Sequence, residues 1–138
     1  SVPFIVGYKL YFGHAWSFSF RRAAPDLDLV MGQLFVIALP EEAFFRGYVQ
    51  ARLERIWPRT VAVLTLPIGL ATIITSLLFA LGHFATIPHP ERLAVFFPSL
   101  LFGALRSKTG GIGAGVVLHA LSNLLSGAVA RGFAGAGP

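Results

Sequence analysis

The chain contains no cysteine among its 138 residues. This absence excludes disulfide bonds, a zinc site built from thiolates and a cysteine nucleophile. Charged residues are also few: they make up 12% of the chain, against about 25% in an ordinary soluble domain. Hydrophobic residues are abundant instead, at 55%, and the mean hydropathy is +0.72. This composition is typical of a membrane protein.

The length allows one domain of four or five apolar helices at about 20 residues per span. We therefore predict an all-α fold, a polytopic transmembrane helix bundle with about four core helices around a polar cavity. Residues 1–138 are predicted to form a single membrane-embedded domain. Within it, residues 1–26 are aromatic-rich, and we interpret them as the remnant of an N-terminal helix or as an interfacial segment.

Helical segments are predicted over residues 27–56, 60–82, 93–105 and 112–130. Asp26 has the side chain of an N-cap for the first of them. Pro40 lies inside that helix, where it removes a backbone hydrogen bond and is expected to cause a kink just before two glutamates. The second segment contains Pro67. The third is too short to span comfortably and is expected to be tilted or buried among other helices.

The basic residues are dispersed and flank the apolar runs, so we interpret them as interfacial anchors rather than as a nucleic-acid footprint. Residues 52–59 and 106–108 are predicted to lie on one side of the membrane, and the positive-inside rule favours that side as cytoplasmic. Arg21, Arg22, Arg92 and Arg131 would lie on the other side. Arginine outnumbers lysine and alanine is plentiful, which indicates a GC-rich bacterial genome and hence the bacterial cytoplasmic membrane.

Two adjacent glutamates follow the apolar run 34–39, in the pattern Glu41-Glu42-x-x-x-Arg46. Ionisable groups at membrane depth are costly and indicate a functional site. Glu42 and Arg46 are four residues apart, so they can pair on one helix face. Glu41 is rotated by about 100° and can point into a cavity as a general base. The alternative is that all three residues solvate an interfacial helix end.

Three further polar side chains stand alone in apolar segments. His83 ends the run Phe79-x-x-x-His83, and an interfacial histidine at a helix C-terminus is the alternative interpretation. His119 and Asn123 are four residues apart in the last apolar segment and therefore share a helix face. They could face a polar cavity or form hydrogen bonds between helices.

These three motifs, in this order and each in an apolar helix, resemble the CAAX protease and bacteriocin-processing family, also called CPBP or Abi. The resemblance covers about residues 30–130. It implies an intramembrane endopeptidase that cuts a membrane-anchored or lipidated protein or peptide. Glu41 and His83 match the residues that activate water, His119 and Asn123 match the oxyanion pair, and Glu42 and Arg46 match supporting positions. No cofactor is expected.

Other functions remain as alternatives. The same residues could be ligands of a zinc-dependent membrane protease, although the motif His-Glu-x-x-His is absent. A non-catalytic membrane protein could bind a peptide in bacteriocin immunity, but six such residues exceed what binding requires. The few spans and the lack of repeated halves argue against a transporter. The apolar setting of the motifs predicts a substrate whose scissile segment lies near a lipid or transmembrane anchor.

Overall fold

The computed structural model describes residues 18–133, and helices account for 79% of them. The helices are α1 (Phe20–Ala23), α2 (27–56), α3 (Leu70–Thr86), α4 (Phe96–Thr109) and α5 (Gly113–Phe133). A 3₁₀ segment, Pro90–Val95, leads directly into α4. The mainly helical class predicted from the sequence is confirmed at this level. The interpretation of residues 1–17 lies outside the described residues.

Helix α2 runs through Pro40 by changing its hydrogen-bonding pattern. Its α-helical parts are Leu27–Met31, Leu39–Glu42 and Ala51–Ile56, and its π-helical parts are Gly32–Ala38 and Ala43–Gln50. Asp26 caps the start as predicted, because its Oδ1 accepts a hydrogen bond from the Leu29 amide at 2.8 Å. Pro40 has no amide hydrogen to donate to the helix. The wider π turns lie on both sides of it, and such turns are frequent at functional sites.

The prediction of one helix over 60–82 is wrong. Residues Thr60–Val63 (β1) and Leu66–Gly69 (β2) form an antiparallel hairpin, and α3 begins only at Leu70. The hairpin run is rich in β-branched residues, and proline at position 67 fits a two-stranded edge better than a helix interior. Its turn residues, Leu64 and Thr65, have φ angles of 49° and 70°. These values match the tight turns that connect hairpins.

Helices α3, α4 and α5 pack in sequence order, and α5 then packs against the first half of α2. The small apolar core between α2 and α5 consists of Ala38, Val116 and Ala120. Gly110, with φ +75°, ends α4 in the left-handed conformation that favours glycine. The short connection that follows brings the N-terminal half of α5 back alongside α4 and α2.

The interior is polar and much of the exterior is apolar. The buried polar residues are Glu42, Arg46, Gln50, Thr72, Thr75, Ser76, Ser99 and His119. Leu101 on α4, and Val117, Leu121 and Leu125 on α5, are exposed. Among the described helices, α5 is long and apolar enough to cross a membrane by length and composition, and α3 is a shorter apolar helix. Polar groups inside and apolar groups outside favour a lipid-facing surface.

Candidate active site

Helix α2 directs its two glutamates into different surroundings. Glu42 and Arg46 are both fully buried, and Arg46 Nη1 lies 3.0 Å from Glu42 Oε1. They form the ion pair that their spacing predicts. Glu41, the preceding residue, keeps about a third (34%) of its side chain exposed and lines a cavity of about 520 Å³.

Arg46 is held from three sides. Its Nη2 donates hydrogen bonds to the Ser99 carbonyl at 3.2 Å and to the Ser99 hydroxyl. Its guanidinium carbon lies 4.4 Å from the centroid of the Phe79 ring and 5.4 Å from that of Phe102, within the range of cation–π attraction. These partners hold the buried Arg46 cation in place, and its charge fixes the position of the Glu42 carboxylate. Glu42 also contacts a third group.

That third group is His119 on α5. Its Nδ1 lies 3.0 Å from Glu42 Oε1. A carboxylate only accepts, so the Nδ1 proton is donated to Glu42 and the ring orientation is set. The imidazole stacks on Phe102 at a centroid distance of 5.1 Å and meets the edge of Phe79 at 5.6 Å. These contacts leave Nε2 as the atom that faces Glu41.

His83, in the last turn of α3, is oriented by its own helix. Its Nδ1 donates to the Phe79 carbonyl at 3.0 Å. A carbonyl cannot donate, so in the neutral ring Nε2 carries the lone pair. This Nε2 lies 4.0 Å from Glu41 Oε2, and His119 Nε2 lies 3.8 Å from the same oxygen. Both distances exceed a direct hydrogen bond.

Glu41 Oε2 is therefore the point of convergence. The atom is buried, yet it accepts no hydrogen bond from any residue within 18–133. Two imidazole nitrogens face it at about the separation that one small polar molecule would bridge. A carboxylate and an imidazole lone pair can both accept protons from one water molecule, which is the arrangement for general-base chemistry.

Asn123 lies farther along α5, on the wall of the same cavity. Its Nδ2 donates to Gln33 Oε1 at 3.0 Å. An amide nitrogen carries two hydrogens, so one remains for a further acceptor. The cavity is lined by Gln33, Ile37, Glu41, Phe45, Phe79, Gly82, His83, Thr86, Arg92, Val95, Asn123 and Ser126.

The structure thus brings five of the six residues singled out from the sequence into one connected group, and places the sixth, Asn123, on the same cavity. Sequence reasoning missed Ser99, which binds Arg46, and Gln33, which binds Asn123. Gln33 could have been found, because positions 33, 37, 41 and 45 repeat at a spacing of four and all line the cavity. Ser99 carried no such signal, since its contact joins distant segments.

Glu41, His83 and His119 are the side chains that the zinc-dependent alternative would use as ligands. Within residues 18–133, no three histidine, aspartate or glutamate side chains are grouped so as to hold a metal ion. Catalytic zinc sites use three protein ligands at about 2.0–2.2 Å. The Nδ1 contacts of the two histidines, to Glu42 and to a backbone carbonyl, are also those that metal-binding histidines make, so they do not argue against zinc.

Comparison with known proteins gave one positive finding. A family model described as type II CAAX prenyl endopeptidase, Rce1-like, matches residues 24–125. The matched range covers most of the chain and includes all six residues of the candidate site. No curated protein and no solved structure gives a significant match to the chain.

Proposed function

The chain belongs to the Rce1-like family of type II CAAX prenyl endopeptidases, and on that premise we propose an intramembrane endopeptidase that uses Glu41 and His83 to activate water. The family is a membrane-embedded protease family whose substrates are in general membrane-anchored prenylated proteins. The proposed reaction is hydrolysis of a peptide bond near the C-terminus of such a protein. The observation that carries the proposal is the convergence of His83 and His119 on Glu41 Oε2.

The first step needs a base. A water molecule between Glu41 and His83 would donate one hydrogen to the Glu41 carboxylate and the other to His83 Nε2. Its oxygen attacks the carbonyl carbon of the scissile bond while Glu41 takes the proton. The proton then passes to the nitrogen of the leaving amine, and the C–N bond breaks. The 4.0 Å separation of the two acceptors supports a shared water.

The second requirement is a partner for the oxyanion. His119 and Asn123 are the proposed donors, through Nε2–H and the second Nδ2 hydrogen. Donation from Nε2 uses the doubly protonated ring, whose other hydrogen, on Nδ1, is directed to Glu42 at 3.0 Å. Removing one oxyanion donor costs about 3–4 kcal/mol of transition-state stabilisation in a well-studied protease. Arg46 acts as a positioning residue, because it holds Glu42.

We further propose that α2, α3, α4 and α5 are the core of a transmembrane bundle in the bacterial cytoplasmic membrane. Support comes from the polar interior and from the exposed apolar side chains of α4 and α5. The hairpin would lie at the water interface, because open sheet edges are not stable in hydrocarbon. A cavity inside such a transmembrane bundle would receive substrates that are already anchored in the bilayer.

The test is cleavage of a farnesylated CAAX peptide by the full chain in vesicles. Glu41→Gln removes the base while it keeps the shape of the side chain, so we expect kcat to fall about 10²–10⁴-fold. Glu91→Gln is the matched control, because Glu91 is exposed and contacts His89 outside the site. Native-level cleavage by Glu41→Gln would exclude Glu41 as the base, whereas no cleavage by the native protein would favour peptide binding as the function.

Metal dependence is tested separately. The proposed chemistry predicts that 1,10-phenanthroline leaves cleavage unchanged. Loss of activity in the chelator, with recovery on addition of zinc, would instead establish the metalloprotease alternative. The measurement uses the same peptide and the same vesicles, so that both results refer to one substrate.

A further inference from the structure

Arg92 is a cation on the wall of the catalytic cavity whose side chain the proposed mechanism does not use. It lies in the 3₁₀ segment Pro90–Val95 and lines the cavity together with Glu41, His83 and Asn123. The 3₁₀ segment packs against α3, the helix that carries His83. Arg92 therefore belongs to the same space as the reacting groups.

The side chain of Arg92 has no partner of its own among the described residues. Its guanidinium makes no hydrogen bond or ion pair with any residue within 18–133. The neighbouring carboxylate, Glu91, is directed to His89 at 3.4 Å, and both of those side chains are largely exposed. An arginine that serves only the fold would be expected to use its five donors on nearby acceptors.

The charges of the residues that line the cavity indicate what kind of group Arg92 would bind. Among residues 18–133, Glu41 is the one carboxylate in the lining, and the proposed mechanism needs it as the base. A substrate must therefore supply the anion that Arg92 binds. Every peptide that is cut near its C-terminal end carries such an anion, its C-terminal carboxylate, whatever its side chains are. Arginine binds carboxylates through two parallel hydrogen bonds, which give direction as well as affinity.

We propose that Arg92 binds the free C-terminal carboxylate of the substrate and so determines which chains are cut and where. The inference rests on the proposed endopeptidase function. A cavity of about 520 Å³ is within the range that holds a small ligand. If Arg92 holds the carboxylate, its separation from Glu41 would limit the length of the segment that is released.

The experiment compares two farnesylated CAAX peptides of identical sequence, one with a free C-terminal carboxylate and one with a carboxamide. The full chain is reconstituted in phosphatidylcholine vesicles. We expect kcat/KM to be about 10–100-fold higher for the acid, the range of a charge-assisted hydrogen bond. Arg92→Gln should cut both peptides at the low rate of the amide. Arg92→Lys, which keeps the charge, should recover part of the preference.

Arg55→Gln is the matched control, because Arg55 is exposed on α2 and does not line the cavity. It should keep the native ratio of acid to amide. Equal losses on both peptides in Arg92→Gln would overturn the proposal and favour an arginine that contacts lipid phosphate. A native protein that cuts both peptides equally would overturn it as well.

A binding measurement separates this inference from the proposed function. Glu41→Gln, which should bind without cutting, is titrated with both peptides, with and without the second change Arg92→Gln. A preference for the acid that depends on Arg92 supports the carboxylate site even if no peptide is cut. Equal Kd values for acid and amide, in a protein that does cut, reject the site and leave the endopeptidase in place. Thermal unfolding of each variant checks that the fold is retained.

Discussion

At the scale of the residue, the adjacent side chains Glu41 and Glu42 differ in their burial and in the groups that they contact. Glu42 is fully buried between Arg46 and His119, whereas Glu41 is about a third exposed and reaches the cavity. In both residues Oε2 has no hydrogen-bond partner among the described residues. Rotation of about 100° between successive helix positions produces the difference in burial. The pair therefore combines a fixed carboxylate that orients an imidazole with a carboxylate that is free to accept a proton.

Replacing Glu42 by glutamine should damage both stability and catalysis. The substitution removes the charge that compensates Arg46, and breaking a buried ion pair from one side costs about 3–5 kcal/mol. It also removes the carboxylate that accepts the Nδ1 proton of His119. We expect a lower Tm and a lower kcat, measured by thermal unfolding in detergent and by peptide cleavage.

Glu41→Gln provides the comparison for that prediction. Within the part of the chain that the structure describes, Glu41 has no ion-pair distance below 3.8 Å, so its change should leave Tm nearly unaltered while activity is lost. If Glu42→Gln kept the native Tm, the buried pair would contribute little, and the structural role assigned to it would be wrong.

At the scale of the element, the approach of α5 to α2 depends on a glycine. A Cβ atom at Gly115 would lie 2.9 Å from Glu42 Oε2, whereas one at Gly113 would meet nothing within 4 Å. The absence of a side chain at position 115 therefore allows the carboxylate to sit between the helices. Of these two glycines at the start of α5, only Gly115 has this consequence.

Gly115→Ala should push Glu42 away from its partners. Overpacking of a tight interior costs about 1–3 kcal/mol, and displacement of Glu42 would also disturb the orientation of His119. We expect reduced Tm and reduced kcat, from the same two measurements. Gly113→Ala is the control and should behave like the native protein; equal losses in the two variants would mean that the close approach at position 115 is not responsible.

At the scale of the whole molecule, two groups of basic residues mark opposite ends. Arg106 Nη1 pairs with Glu54 Oε2 at 3.0 Å, which joins the end of α2 to the end of α4. Arg131 Nη2 donates to the Ala23 carbonyl at 3.3 Å, which joins the end of α5 to α1. The sequence predicts these residues on opposite sides of a membrane, and that assignment stays a prediction.

The natural absence of cysteine allows the orientation to be measured. A single cysteine at Arg55→Cys should be protected from a membrane-impermeant thiol reagent in intact cells and labelled after lysis, because the positive-inside rule favours this end as cytoplasmic. Arg22→Cys should be labelled in intact cells. The reverse pattern would invert the topology, and labelling of both sites in intact cells would argue against a membrane-spanning arrangement.

The sequence alone determined the helical class, the capped start of α2, the Glu42–Arg46 pair and the family. Each of these depends on local spacing or composition, and such information is complete within one segment. The helix predicted from the sequence is wrong over residues 60–69. A short apolar run is compatible with a helix and with a strand, and only the pairing of β1 with β2 decides between them.

Tertiary structure alone decided which groups meet. The Nδ1 atom of His119 contacts Glu42, which is 77 positions away in the sequence, and Asn123 contacts Gln33, which is 90 positions away. The position of Arg92 on the cavity wall, where its guanidinium has no partner among residues 18–133, also depends on the packing of the helices. Spacing along a helix specifies a face, but the partner of that face depends on how α2, α3 and α5 pack, and packing is a property of the whole chain.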